Sequence, residues 1–178
     1  SFLFALVAVA GLLSMTSSSK SSEVLLTTTT ADVQTGETFL VDVYVSATTP
    51  INAVSILVTY PDNIEILGID KGESVLTLWT REPTVEQTKR LVSLEGGTYK
   101  KGFIGKHKIA TLRATAIGEG EGAFAVTEAL LVAGDGRGTE LSSDVTKAVI
   151  ALAVSDKAAG ESVVPTAAFA ATTVAVSD

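Results

Sequence analysis

The chain has 178 residues, 46% of them hydrophobic and 19% charged, so it is long enough for one globular domain and too apolar for a disordered protein. Its formal net charge of -7 argues against a nucleic-acid partner, because phosphate binding requires a concentrated basic surface. It has no cysteine and one histidine, which excludes disulfides, thiolate nucleophiles, thiolate-bound zinc and any site that needs two histidines.

The N-terminus carries an apolar run, residues 2–13, followed by a serine-rich spacer, residues 14–22. A membrane span needs roughly 20 apolar residues and a signal-peptide core about 7 to 15, so the length fits an export signal. Ala8-Val9-Ala10 also offers a small-residue cleavage pattern. The chain starts at Ser1 without a basic n-region, which favours a processed end and an apolar segment, or short helix, that is retained. Both alternatives stay open.

From residue 23 onward the hydrophobic pattern changes to a period of two, which is typical of half-buried strands. The clearest predicted strands cover residues 39–45 and 53–60, with turn chemistry between them at residues 48–52. Further strands are predicted at residues 24–30, 64–70, 90–94, 108–116, 123–131 and 146–154. Short strands at regular spacing predict an antiparallel β-sandwich. Its predicted core includes Phe39, Val41, Val43, Val45, Val54, Ile56 and Val58.

Five segments of the sequence occur in the order seen in one known family of extracellular domains. They are GETF (36–39) leading into VDVYV, PINAV (50–54), TYPDNIEILGID (59–70), GKHKIATL (105–112) and LVAGDGRGT (131–139). On these segments, residues 23–154 resemble a cohesin-like domain.

The resemblance implies an all-β, nine-stranded jelly-roll sandwich that is related in architecture to some carbohydrate-binding modules. It also implies a non-catalytic docking role outside the cell. In cellulosomes the partner of such a domain is a calcium-loaded dockerin. This sequence has no dockerin segment of its own, so no dockerin-contacting residue is carried over to it.

Two features are candidates for ligand or metal binding. Trp79 is the single tryptophan, and its ring is either a sugar-stacking platform or an anchor for the core. Asp135 and Glu140 flank a glycine-rich loop and could chelate calcium, although the loop lacks the alternating oxygen ligands of a calcium site. A glycine-permitted turn, with Arg137 paired to an acid, is the favoured alternative. We therefore predict no cofactor, with calcium as the less favoured possibility.

Catalytic candidates are few. His107 lies between two lysines with no nucleophile motif nearby, so we predict an exposed loop residue. Glu119 and Glu121 resemble an acidic hairpin tip, and nothing in the adjacent sequence would raise the pKa of one of them as glycoside hydrolysis requires. The sequence predicts that the protein is not an enzyme.

The tail after residue 155 begins with a polar linker and continues as an uncharged, β-branched and alanine-rich segment, residues 162–177. A free segment of this kind favours aggregation, so it is predicted to pair as an extra strand in its own or a neighbouring subunit. A disordered end is the alternative. The apolar residues of the two ends are the predicted assembly contacts: Phe2, Leu3, Phe4, Leu6, Val7, Leu12, Leu13, Val163, Val164, Phe169, Val174 and Val176.

The predicted organisation has three parts: the N-terminal segment with its spacer (1–22), the sandwich (23–154) and the tail (155–178). An apolar N-terminus, a spacer and a β-domain resemble the layout of type IV pilin-like subunits, although Ala5 stands where most of them carry glutamate. We predict a secreted or cell-surface structural module that assembles with copies of itself or another surface protein. The alternative is a carbohydrate-binding or protein-docking module, with a polysaccharide as a possible partner and no nucleic acid.

Overall fold

The computed structural model describes residues 22–99, 101–144 and 148–156. Within these ranges the secondary structure consists of strands, which confirms the predicted all-β class. In chain order they are β1 (Ser22–Thr28), β2 (Asp32–Gln34), β3 (Thr38–Thr59), β4 (Ile64–Asp70), β5 (Leu78–Glu86), β6 (Leu91–Gly97), β7 (Phe103–Ala116), β8 (Gly120–Ala133), β9 (Glu140–Leu141), β10 (Ser143–Asp144) and β11 (Val149–Ser155).

Strand β3 organises the sandwich because its 22 residues take part in both layers. Residues 38–47 pair with β1 and β7, and residues 51–59 pair with β6 and β8. We call β4, β7, the first half of β3 and β1 the back sheet, and β5, β6, the second half of β3 and β8 the front sheet. All pairs within the two sheets are antiparallel, as a jelly roll requires. Strand β11 extends β8, and the short strands β2 and β10 pair in parallel with β11 and β1.

The turn predicted at residues 48–52 is wrong, because β3 continues through it. The pairing register shifts between Ala47 and Ile51 on the β7 side, so the chain bends from one sheet to the other without a loop. Pro50 is tolerated at this bend because its missing N–H falls where the ladder is interrupted.

The core lies between the two sheets and confirms the predicted strand faces. Each of the seven predicted core residues is at most 4% exposed. Phe124 from β8 packs between Phe39 and Tyr60, with ring centroids 6.2 and 6.3 Å away, and closes one end of the core. The Tyr60 hydroxyl donates to Gln87 Oε1 at 2.8 Å, which satisfies the polar end of a ring that is otherwise buried.

Gly134 marks a close approach between two backbone segments at the end of β8. Its N–H donates to the Pro50 carbonyl at 2.8 Å, and a Cβ at this position would lie 1.9 Å from the Lys101 carbonyl oxygen. Gly134→Ala should therefore force the segments apart and lower the free energy of unfolding by about 1–3 kcal/mol in urea denaturation. Gly118→Ala is the control, because its Cβ would meet nothing closer than 3.9 Å. Equal stability of the two variants would contradict this explanation.

Candidate functional site

The outer surface of the front sheet has an apolar centre. Strand alternation turns Ser55 and Leu57 of β3 outward, beside Ser93 of β6 and Leu130 of β8. Leu78 on the edge strand and Leu130 are each 39% exposed, which is high for leucine on a paired strand. We call the outward side chains of this sheet the front face. They are Ala53, Ser55, Leu57, Thr59, Leu78, Arg81, Thr84, Glu86, Leu91, Ser93, Glu95, Ala125, Glu128, Leu130 and Val132.

Four of the front-face side chains are charged: Arg81, Glu86, Glu95 and Glu128. Arg81 Nη1 on the edge strand lies 3.3 Å from Glu95 Oε1, so these two charges offset each other. Glu86 lies on the edge strand β5, and Glu128 on β8 is the cross-strand neighbour of Leu57. Uncharged side chains thus outnumber charged ones on the front face, and a surface poor in charge is less costly to desolvate at a protein–protein interface.

The outer surface of the back sheet is different, because a network of paired charges covers the part of it around Lys108. Lys108 Nζ on β7 lies 2.7 Å from Glu73 Oε2 and 3.1 Å from Asp42 Oδ1. Thr111 Oγ1 donates a hydrogen bond to Asp42 Oδ1. The hydrogen bond with the Glu73 carboxylate makes the largest contribution to raising the pKa of Lys108, and the Asp42 carboxylate raises it further. The amine is therefore an ammonium ion and neither a nucleophile nor a base.

Tyr44 joins the same network from its other side. Lys106 Nζ lies 4.6 Å from the centroid of the Tyr44 ring, at cation–π distance, and Lys108 Nζ lies at 5.8 Å. A partner that covered this surface would have to desolvate charges that already pair with one another, which is costly. The front face therefore suits a protein partner better than the network on the back sheet does.

Trp79 does not lie on the front face. Trp79 pairs with Gly96, and Gly96 pairs on its other side with the inward-facing Val54, so Trp79 faces inward as well. The half-buried Trp79 ring packs against the core. Lys71 Nζ lies 5.7 Å from the centroid of that ring. The position is that of a core anchor at the sandwich edge, and sugar contact by Trp79 stays a prediction.

Asp135, one of the two residues considered for calcium, is engaged within its own loop. Its carboxylate accepts hydrogen bonds from Thr139 Oγ1 at 2.6 Å and from the Arg137 N–H at 2.9 Å. Both hydrogen bonds lower the pKa of Asp135, and the bond from Thr139 has the larger effect. In the part of the chain that the structure describes, no three His, Asp or Glu side chains are grouped so that they could hold a metal.

The catalytic candidates are placed as follows. The prediction that His107 is an exposed loop residue is wrong, because it lies half-buried on β7 opposite Val45. Its ring packs edge-on against Phe103 with centroids 5.3 Å apart, and its Nε2 lies 2.9 Å from the Ile104 carbonyl, to which it would donate. The expectation that nothing raises a carboxyl pKa at the Glu119–Glu121 tip is wrong, because a hydrogen bond with Asp156 raises the pKa of Glu119. That carboxyl is fully exposed on a hairpin tip, where solvent screens its charge.

The predicted assembly residues of both ends, together with the predicted N-terminal helix and C-terminal extra strand, lie outside the described residues. Their role stays a proposal. In the ranges that are described, no helix is long and apolar enough to cross a membrane.

No protein-family model matches the sequence, and comparison with curated proteins finds no relative. Solved structures do match the fold. A cohesin module of a family 33 glycoside hydrolase from Clostridium perfringens superimposes with a TM-score of 0.64 at 14% identity, over 78% of this chain and 100% of that module. The chain has a cohesin-like fold.

Two further cohesins match this cohesin-like fold. A non-cellulosomal cohesin from the hyperthermophilic archaeon Archaeoglobus fulgidus gives a TM-score of 0.58 at 11% identity, over 75% of this chain and 91% of that one. A type I cohesin from Clostridium thermocellum, solved in a complex with a dockerin, gives a TM-score of 0.60 at 11% identity. The match covers 76% of this chain and 96% of that one. These similarities confirm the predicted jelly-roll sandwich.

Proposed function

We propose that this chain is a non-catalytic protein-docking module of the extracellular space and that the front face binds its partner. The observation that carries the proposal is the apolar, sparsely charged front face on a sandwich of cohesin-like fold. One structural neighbour with this fold was solved as a cohesin–dockerin complex, which supports docking as the use of the fold. This alternative from the sequence is better supported than self-assembly.

The geometry of the front face favours a partner that is itself a folded domain. The interior strands of the front sheet pair on both sides, so a peptide cannot add to them as a strand. Leu57, Leu78 and Leu130 can anchor an apolar partner surface, and Ser55 and Ser93 can exchange hydrogen bonds with it. Rigid strands hold these side chains in place, so docking requires little ordering of the module.

The edge strand β5 is an unsuitable place for strand addition. Its pairing with β6 shifts register on both sides of Arg81, and it contains Pro83, which has no N–H to donate. Glu82 beside them is exposed and charged. Irregular, charged and proline-containing edges are how sandwiches avoid edge-to-edge association. The face of this sheet, rather than its edge, is therefore the proposed docking surface.

The test replaces the centre of the front face without affecting the core. Leu57→Arg places a long cation beside Glu128, with which it can pair, and should leave the melting temperature unchanged. It should also abolish retention of the partner, because an apolar contact at the centre of the front face is lost and a charge is introduced in its place. The matched control is Leu25→Arg, the same change on the outer side of the back sheet opposite Tyr44.

The measurement is capture from the culture supernatant of the source organism by immobilised chain, with retained proteins identified by mass spectrometry. A protein held by the wild type and Leu25→Arg but not by Leu57→Arg would then be purified and titrated. Equal retention by Leu57→Arg would show that another surface binds. The docking function would be wrong if no protein were retained above a bare-matrix control.

Self-assembly through the two ends is a second proposal, favoured by one sequence observation. Residues 2–13 and 163–176 are both uncharged and apolar, and together they flank the sandwich. Apolar surface of this extent is removed from water when it packs between subunits, which would also attach the module to a cell-surface layer or filament. Docking and self-assembly use different parts of the chain and are compatible.

A further inference from the structure

A groove lies on the back sheet, on the opposite side of the sandwich from the front face. Its volume is about 350 Å³, which is in the size range of small-ligand sites. Thr111 and Arg113 of β7 form its floor, Leu40 of β3 borders one side, and Gly68–Asp70 of β4 border the other. No contact described for the proposed docking function involves these residues.

Gly68 keeps this groove open, although the backbone does not require glycine there. Its φ is not in the left-handed region, and an added Cβ would meet only Arg113 Nη2, at an ordinary contact distance of 3.5 Å. Glycine inside a strand is destabilising by roughly 0.5–1 kcal/mol relative to alanine. The structure thus tolerates a side chain at this position, and what the missing side chain provides is space above the floor of the groove.

Arg113 is available to a ligand. It is exposed, and among the residues that the structure describes no carboxylate lies within 4.0 Å of its guanidinium. Its cross-strand neighbours are Gly68, which has no side chain, and Leu40, which is 46% exposed. An unpaired guanidinium beside an exposed apolar side chain can bind a carboxylate through two hydrogen bonds while its neighbour covers an apolar part of the same molecule.

The opposite end of the groove offers an acceptor. Asp70 and Thr111 are cross-strand partners, two positions along β7 from Arg113, which corresponds to about 7 Å. Asp70 Oδ1 accepts the Gly72 N–H at 2.8 Å, and Oδ2 is available for a further donor. The groove therefore presents a cation and the exposed apolar side chain of Leu40 at one end and a hydroxyl acceptor at the other.

We propose that this groove binds a carboxylate-bearing sugar, such as a hexuronate unit of an acidic polysaccharide. Arg113 would bind the carboxylate, Asp70 would accept a ring hydroxyl, and Leu40 would pack against the ring C–H groups. A sugar fits better than an acidic peptide, because both sides of β7 are already paired with β3 and β4. The floor of the groove thus has no open main-chain groups with which a peptide strand could align.

The net negative charge of the chain means that an acidic saccharide would bind only at a specific site. At -7 the protein as a whole repels polyanions, so an acidic saccharide would have to be held by a local site rather than by general attraction. Arg113 supplies the positive charge among the residues that line the groove, and it lies at the opposite end from Asp70. Binding is expected to weaken with rising salt but to persist at physiological ionic strength, because the contact is short-ranged.

The test is isothermal titration of the full chain with tetragalacturonate at physiological salt, beside the neutral cellotetraose. We expect tetragalacturonate to bind and cellotetraose to bind at least tenfold more weakly. Arg113→Gln should weaken tetragalacturonate binding by roughly tenfold or more. Gly68→Val fills the groove while keeping every charge, and it should remove binding without lowering the melting temperature. Arg137→Gln, the same charge change on the Asp135 loop, is the control and should bind as the wild type does.

Several results would overturn the proposal. Unchanged binding by Arg113→Gln or Gly68→Val would place the saccharide elsewhere, and equal losses in Arg113→Gln and Arg137→Gln would indicate general charge effects. Tetraglutamate binding as tightly as tetragalacturonate would replace the sugar with an acidic peptide. Leu57→Arg should bind tetragalacturonate normally, so failure of the docking function leaves this test intact.

Discussion

Val43→Asp is expected to leave the chain unfolded at room temperature. Val43 is 0% exposed and lies in the middle of β3, paired with Leu26 of β1 and Ala110 of β7. These neighbours offer no side-chain donor, so a carboxylate there would be buried without a partner or would have to be protonated. Either outcome costs several kcal/mol, which is comparable with the total of about 5–15 kcal/mol that holds a domain of this size together.

Far-ultraviolet circular dichroism and a thermal melt would measure this effect. Ser46→Asp is the matched control, because Ser46 points outward from the same half of β3 and lies opposite Lys106. We expect the control to melt cooperatively near the wild-type temperature. A cooperative wild-type melt for Val43→Asp would instead mean that the strand faces assigned to β3 are reversed.

The long strands could be predicted from the sequence because each carries one apolar face. In β3 the alternation of Val41, Val43 and Val45 with polar residues directly encodes which side is buried. Strand β5 carries no such signal. It lies at the edge of the front sheet, only Trp79 and Val85 of its side chains pack against the core, and Pro83 interrupts the pattern. The edge position of β5 depends on its pairing with β6, which local periodicity does not encode.

The bend in β3 illustrates a second limit of sequence reasoning. Thr48-Thr49-Pro50 resembles a turn, since proline and its neighbours favour chain reversal. In the folded protein, β7 and β8 pair with the segments on both sides of it and keep it extended. Tertiary pairing therefore overrides the local turn chemistry, and one long strand replaces the two that the sequence predicts.

The candidate sites were not predictable for a similar reason. The front face combines side chains from four strands, and the residues that meet there depend on register shifts such as that between Leu57 and Val58. Gly68 and Arg113 are 45 positions apart and become neighbours only through the pairing of β4 with β7. The sequence instead drew attention to Trp79 because of its residue type, and the fold turns that side chain towards the core.

Removal of both ends is the decisive experiment for self-assembly. A chain of residues 22–156 retains every strand from β1 to β11, including Ser22, which is 1% exposed and pairs with Ala47. This truncated chain should therefore fold with the melting temperature of the full protein. It lacks all twelve of the predicted assembly residues, so it should remain monomeric at concentrations where the full chain associates.

The expected difference is large because association through the ends is apolar. Each Å² removed from water contributes roughly 25 cal/mol, so two segments of this length outweigh the entropic cost of joining subunits. Analytical ultracentrifugation and negative-stain microscopy of the full and truncated chains would measure this difference. Deletion of one end at a time would show which end carries the contact.

The control for chain length is the full chain with both Val164→Lys and Val174→Lys. This variant retains the tail but adds charge to it, so it should weaken association as deletion of the tail does. Filaments of normal length from the truncated chain would assign self-assembly to the faces of the sandwich, and the role proposed for the ends would then be wrong.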